Sequence, residues 1–248
     1  MQVKRYMLGK GSSWATPYYV ATGGQTGPCA MVVAGIHGKE IASIRAAEKL
    51  VKLLNQQKLR FSHGKLIIVP IVNQEAYRKR IRGIPDLNRT FPRKKKQLAT
   101  QPLSSALFKL TQRHQPEWYL DLHEANGLSQ KDAKVLGQTL ISNKANPVVP
   151  TVRRIIKRMN RSIQVSDRHF NIRLHELPGS SRTAAARILG ARAVTVETGW
   201  SLPKKVRIHY QLEIVKHFLK QAGIVKGNEV YLSAKVRTVT SRKYCITK

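Results

Sequence analysis

His37 and Glu40 stand three residues apart directly after an apolar run, Met31 to Ile36. A second apolar stretch ends Leu120-Asp121-Leu122-His123, and a third ends Val194-Thr195-Val196-Glu197. Two imidazoles and a carboxylate can bind a zinc ion and leave a fourth position open to water, which a further carboxylate can activate. Read this way, His37, Glu40 and His123 are candidate ligands of one Zn²⁺ per chain. Glu197 is the candidate general base, placed to take a proton from water and pass it to a leaving nitrogen. The chemistry these residue types point to is zinc-dependent hydrolysis.

Each piece has a plainer reading. His-x-x-Glu recurs at His114-Gln115-Pro116-Glu117, where Pro116 breaks a helix end and no apolar strand precedes the histidine; that copy is rejected as a metal site. His123 alone could be a satisfied histidine at a strand end. A carboxylate such as Glu197 at the end of a buried strand is costly unless paired or functional, and one of the many arginines could be its partner. The remaining histidines, His63, His169, His175, His209 and His217, read as surface or structural. His175-Glu176 echoes His123-Glu124, but no strand is expected before it.

The three segments can meet only if the fold brings strand ends together. Extended stretches recur at Pro17–Ala21, Ala30–Ile36, Lys65–Val72, Glu117–Leu122, Val135–Ser142 and Ala191–Glu197. Helical patterns fill the intervals at 39–56, Leu103–Arg113, Pro147–Asn160, Ser181–Leu189 and Lys204–Ala222. The alternation predicts an α/β fold, a single domain with a central mixed, mostly parallel sheet flanked by helices. In open sheets of this kind ligands collect at the carboxyl ends of strands, where His37, His123 and Glu197 all lie. The domain is expected to cover residues 1–225, with residues 226–248 a short C-terminal β extension packed on it.

The chain has 248 residues, enough for one large core. Its 42% hydrophobic and 23% charged residues are globular in balance rather than disordered. No apolar run is long enough to span a membrane, and Met1 to Trp14 shows no signal-peptide pattern. The default expectation is the cytoplasm, with export after loss of a leader as the alternative. The 45 Lys+Arg against 13 Asp+Glu give a net charge of +32, a field that favours anionic partners. The basic residues are scattered, most densely at Arg78 to Arg82, Arg93 to Lys96 and Arg153 to Arg158, and no specific nucleic-acid motif accompanies them. Cys29 and Cys245 lie far apart; their spacing is compatible with one disulfide or two free thiols.

One further segment carries chemistry. Residues 73–92 read as a loop punctuated by Gly83, Pro85 and Pro92, with Asn88 and Arg89 side by side and several arginines upstream. An arginine fork can hold a carboxylate, and a second arginine can stabilise a developing oxyanion; more basic surface is the plain alternative. Taken in order, Gly35-Ile36-His37-Gly38-Lys39-Glu40, Asp86-Leu87-Asn88-Arg89-Thr90-Phe91-Pro92, Asp121-Leu122-His123-Glu124 and Val196-Glu197-Thr198-Gly199 resemble the zinc carboxypeptidase superfamily, in particular its succinylglutamate desuccinylase/aspartoacylase branch. The resemblance implies His37, Glu40 and His123 as zinc ligands and Glu197 as general base and acid. It implies Asn88 and Arg89 as the clamp for a substrate carboxylate, and an upstream arginine that polarises the scissile carbonyl, Arg80 in first place and Arg82 next. Lys39 departs from the usual acidic or amide residue, and the C-terminal β region of aspartoacylase-type enzymes looks much reduced.

The expected function is therefore zinc-dependent hydrolysis of an amide bond adjacent to a carboxylate. The substrate would be a small acidic N-acyl amino acid or, alternatively, a peptide such as a cell-wall peptide. A reading from another class is a non-catalytic module that binds an anionic polymer through its basic surface. The oligomeric state is left open.

Overall fold

The computed structural model describes residues 1–225, so the expected C-terminal extension and Cys245 lie outside the described residues. Eight strands form one sheet: β1 (Gln2–Leu8), β2 (Thr16–Thr22), β3 (Gln25–Ala34), β4 (His63–Val69), β5 (Trp118–Ala125), β6 (Thr139–Ser142), β7 (Asn171–Leu174) and β8 (Arg192–Gly199). Their order is β1-β2-β4-β3-β5-β8-β6-β7. The centre, β4-β3-β5-β8, is parallel throughout; β1 and β2 add an antiparallel flank, and β6 returns antiparallel to β8 with β7 parallel beside it. This is the mixed, mostly parallel sheet expected. The helices are α1 (Ile41–Asn55), α2 (Gln74–Lys79), α3 (Pro102–His114), α4 (Val149–Arg161), α5 (Ser181–Leu189) and α6 (Lys204–Gln221).

The central strands are rich in apolar residues because both of their faces are covered. Side chains alternate across the sheet. Ala30, Val32 and Ala34 of β3 join Leu120, Leu122, Val194 and Val196 beneath α1, α4 and α6. Met31, Val33, Tyr119 and Ala193 face the other way, against α3 and α5. By the same alternation His123 of β5 and Glu197 of β8 belong to the second face, and the strand register sets them directly opposite one another.

Four segments differ from expectation. The polar N-terminus forms β1, whose residues are mostly exposed and which is held as an edge by pairing with β2. Only Thr139–Ser142 of the stretch expected from Val135 is strand, because the preceding residues turn. A four-residue strand, β7, does precede His175. Residues 73–92 are not all loop either: Asn73 caps α2 by accepting from the Ala76 amide at 2.9 Å.

α2 buttresses the chain between β3 and α1. Gly35 leaves the strand at φ +67, a left-handed conformation that side chains disfavour. At Gly38 an added Cβ would lie 1.9 Å from the Ala76 carbonyl carbon, so two backbones meet there without clearance. The amide of Lys39 completes the contact by donating to the Ile81 carbonyl at 3.0 Å. Gly38→Ala is expected to cost about 2 kcal/mol or more of stability, since neither backbone can retreat without breaking these bonds. Urea denaturation measures it; a loss under about 0.5 kcal/mol would show that the contact gives way.

Candidate active site

Glu40 is the N-cap residue of α1, and its position is fixed from two sides. The Ser43 hydroxyl donates to its carbonyl at 2.8 Å, and the next amide but one, that of Ala42, donates to Glu124 Oε2 at 2.6 Å. Glu124 is in turn paired with Arg207 of α6. A carboxylate at a helix N-terminus is favoured by the helix dipole, so Glu124 ties the end of β5 to the start of α1. Gln211 of α6 adds a bond to the His123 carbonyl at 2.7 Å.

These ties bring together the three sequence-predicted ligands. Glu40 Oε1 lies 2.6 Å from His37 Nδ1, and Oε2 lies 2.8 Å from His123 Nδ1. One donor atom from each residue falls within 4.8 Å of the others, and all three residues are buried. The opposite ring nitrogens also face carboxylates: His37 Nε2 is 3.1 Å from Asp86 Oδ1, and His123 Nε2 is 3.0 Å from Asp121 Oδ1. The carboxylate hydrogen-bonded behind His37 fixes its tautomer and raises the basicity of the nitrogen that points inward, and Asp121 sets a close negative charge behind His123. Asp121 also accepts from the Ser181 hydroxyl at the start of α5.

The electrostatics call for a cation. Burial opposes charge on Glu40, yet the imidazoles of His123 and His37 outweigh it and hold the carboxyl well below its ordinary range. Burial likewise opposes charge on His123, but Asp121 and Glu40 push that imidazole well above its ordinary value. Burial works against Asp86 too, and His37 and Arg82 overcome it to hold that carboxyl low. Two nitrogens and one oxygen in a buried, net-negative cage fit a divalent metal ion with a position left open.

Glu197 borders this cage. It is partly exposed to the cleft, while its Oε2 is buried and has no hydrogen-bond partner. Burial pushes its carboxyl up to about 8; His123 and Arg82 pull it down, and Glu40 and Asp121 push it further up. A carboxyl that changes charge near neutrality can act as base and then as acid.

The cleft has a volume of about 430 Å³, and Asn88, Arg89 and Glu197 line it together with the three ligands. Asn88 is buried: its Oδ1 accepts from the Ser181 amide at 3.0 Å, and its Nδ2 stands 3.5 Å from His123 Nε2. Arg89 is half exposed, with Nη1 bonded to the Asn88 carbonyl at 2.8 Å. Arg80 is not brought to the cleft. It adopts a left-handed φ of 56 at the end of α2, and its guanidinium stacks over the Tyr77 ring at 4.0 Å. Arg82 lines the cleft instead, bonded to Asp86 at 2.9 Å, with Nη1 3.4 Å from His37 Nδ1.

Sequence reasoning passed over other lining residues. His175, read as surface or structural, faces the cleft because β7 carries it there. Arg182 is 2% exposed, bonded to Asn143 and to the His175 carbonyl; burial lowers it to about 10, so it stays charged at neutral pH. Lys134 stands on the rim, and Lys39 lies over the Trp200 ring at 4.7 Å. Asp121 was legible in principle, two residues before His123 and so on the same face of its strand. Nothing in the sequence marks Arg182 as buried.

Comparison with known proteins gives a consistent picture. A family model described as the succinylglutamate desuccinylase/aspartoacylase catalytic domain matches residues 26–220. No curated protein matches the chain. Among solved structures, the mDAP-bound form of Helicobacter pylori Csd4, a D,L-carboxypeptidase, is similar with TM-score 0.67 and 20% identity, covering 80% of this chain and 52% of that one. This chain thus spans about half the length of Csd4. A candidate metallopeptidase from Shewanella amazonensis is similar with TM-score 0.66 and 17% identity, over 89% of this chain and 87% of that one. A succinylglutamate desuccinylase/aspartoacylase from Rhodobacter sphaeroides has TM-score 0.59 and 18% identity, over 90% and 66%.

If Asp121 and Asp86 orient the ligands, Asp121→Asn and Asp86→Asn should each weaken zinc binding by about tenfold to a hundredfold. Competition against a chromophoric chelator reads this directly. Affinities equal to that of the unmodified chain would contradict the arrangement.

Proposed function

The chain belongs to the succinylglutamate desuccinylase/aspartoacylase family, and from that premise we propose that it is a zinc-dependent hydrolase of an amide bond adjacent to a carboxylate. The observation that carries the reading is the buried His37–Glu40–His123 cluster with the unpartnered Glu197 carboxylate beside it in one cleft. His37, Glu40 and His123 would hold the ion. When bound there, zinc supplies Lewis acidity toward the carbonyl and lowers the pKa of water.

The chain's own side chains account for the other roles. Glu197 takes the proton of the attacking water and returns it to the leaving nitrogen. Arg82, its guanidinium oriented by Asp86, donates to the carbonyl oxygen as negative charge builds on it; it takes the role that sequence reasoning gave first to Arg80. Asn88 and Arg89 anchor the substrate carboxylate, Asn88 being fixed by the Ser181 amide. Arg182, buried yet charged, gives the cleft a further cation for an acidic substrate.

Two substrate classes fit. Family membership favours a small acidic N-acyl amino acid. A short peptide is favoured by the cleft volume of about 430 Å³ and by cations at its rim, Lys39 and Lys134, in addition to the Asn88–Arg89 pair. The description of Csd4 as a D,L-carboxypeptidase with mDAP bound points the same way.

Glu197→Gln is expected to retain stoichiometric zinc and lose about 10³-fold in kcat; an undiminished rate would reject its role. Arg82→Ala should lower kcat/KM by about 10²-fold, while Arg80→Ala changes it by less than about threefold; the reverse ranking would restore Arg80. N-succinylglutamate and short peptides ending in diaminopimelate, assayed with the zinc-loaded protein, separate the two substrate classes. Failure to turn over any N-acyl amino acid or peptide would reject the hydrolase reading.

A further inference from the structure

On the α1/α4/α6 face, away from the catalytic cleft, α4 and α6 leave a groove between them. Two adjoining hollows of about 710 and 280 Å³ share Arg158, Ser162, His217 and Lys220 as lining, and neither includes a residue of the catalytic cleft. α4 contributes Arg154, Lys157, Arg158 and Arg161, all exposed; α6 contributes the half-buried Lys216 and Lys220. The one acid in the lining, Glu213, lies 3.8 Å from Lys216, too few negative charges to balance six cations. His217 registers the resulting field. Burial, then Arg158, lowers its imidazole to about 4, with Glu213 opposing and Lys216 and Lys220 adding to the depression.

We infer that this groove is a binding site for a linear chain of phosphate groups. Cations converge on it from two walls, which suits tetrahedral phosphates approached from several directions; arginine forks and lysine point charges are the usual donors to such oxygens. The floor is closed by Ile155 and Met159, each 3% exposed. Among the described residues no phenylalanine, tyrosine or tryptophan lines either hollow, only the imidazoles of His209 and His217, so bases lack a broad stacking platform and an apolar anchor has nowhere to insert. From Arg154 to Arg161 the α4 wall runs for about 10 Å, the reach of several successive charges rather than of one isolated anion. The recognised feature is the phosphate chain itself, whether free polyphosphate or the backbone of a phosphodiester polymer.

The test is binding of labelled inorganic polyphosphate and of an abasic phosphodiester oligomer, measured by fluorescence anisotropy across a salt series with the full chain. The groove variant Arg154→Gln/Arg158→Gln/Lys220→Gln is compared with a control of equal charge change, Lys94→Gln/Lys95→Gln/Lys96→Gln. The groove variant should bind either probe about tenfold or more weakly, and its salt slope should fall by about 0.7 for each phosphate no longer neutralised; the control should bind as the unmodified chain does. Arg158→Gln alone gives a milder reading should the triple variant fold poorly. Preference for polyphosphate over the abasic oligomer, or the reverse, identifies the source of the phosphates. Equal losses in groove variant and control would overturn the proposal in favour of diffuse attraction by the +32 charge. Much tighter binding of a base-bearing single strand than of the abasic oligomer would overturn it as well. Hydrolysis should be unchanged in the groove variant, so the outcome stands apart from that of the catalytic reading.

Discussion

Glu40 offers one oxygen to each of two imidazoles, and that sharing sets the geometry of the whole site. One ring follows the end of β3 and the other sits in β5, and the anion between them pairs with both. A fully buried carboxylate is costly unless positive charge lies against it. Here the compensation is local, and it draws the ends of two strands and the start of α1 to one point. Behind each ring stands another carboxylate, Asp86 or Asp121, so the cage as a whole carries more negative charge than its imidazoles can balance. Asp121 and Glu40 accordingly favour positive charge on His123. Structure and chemistry thus share one requirement: the arrangement that would otherwise be electrostatically poor is the one whose donor atoms could hold a metal ion.

The surrounding bonds have a clear division of labour. Glu124 and Arg207 fix the α1 N-terminus to the end of β5, and Gln211 holds the backbone of His123 itself. On the other side, Asp121 lies between His123 and Ser181 at the start of α5, while Asp86 joins His37 to Arg82. Removing a partner from such a network leaves a buried polar group unsatisfied, which costs more than the missing bond alone. Helices on both faces of the sheet therefore contribute to keeping three donor atoms within a few ångströms.

The parts of this fold that were legible in the sequence are those where physics leaves one solution. β3, β4, β5 and β8 are buried on both faces; β3 and β4 end in apolar runs, and β5 and β8 show as apolar stretches broken only by Asp121 and Thr195 before their polar ends. The helices between them carry apolar stripes, and a strand end with a histidine or glutamate is conspicuous. β1 and β7 escape notice because an edge strand of exposed or half-buried residues has no such run. α2 is only six residues long and very basic; its existence depends on the cap at Asn73 and on contact with Gly38, neither visible as periodicity. The choice between Arg80 and Arg82 turns on one backbone angle that residue order does not reveal. Arg182 reads like any of the many surface arginines until α5 is packed onto the sheet.

The close contact at Gly38 also divides the cleft into unequal banks. Along one, Gly38 meets the backbone of α2 and Gly35 that of Ile71, and neither leaves room for even a Cβ. Along the other, Lys134 and Leu136 stand exposed on the loop before β6 and line the cleft. Room for change is therefore uneven: the bank that carries His37 and Glu40 is hemmed in by backbone, while side chains on the opposite shore are free to vary.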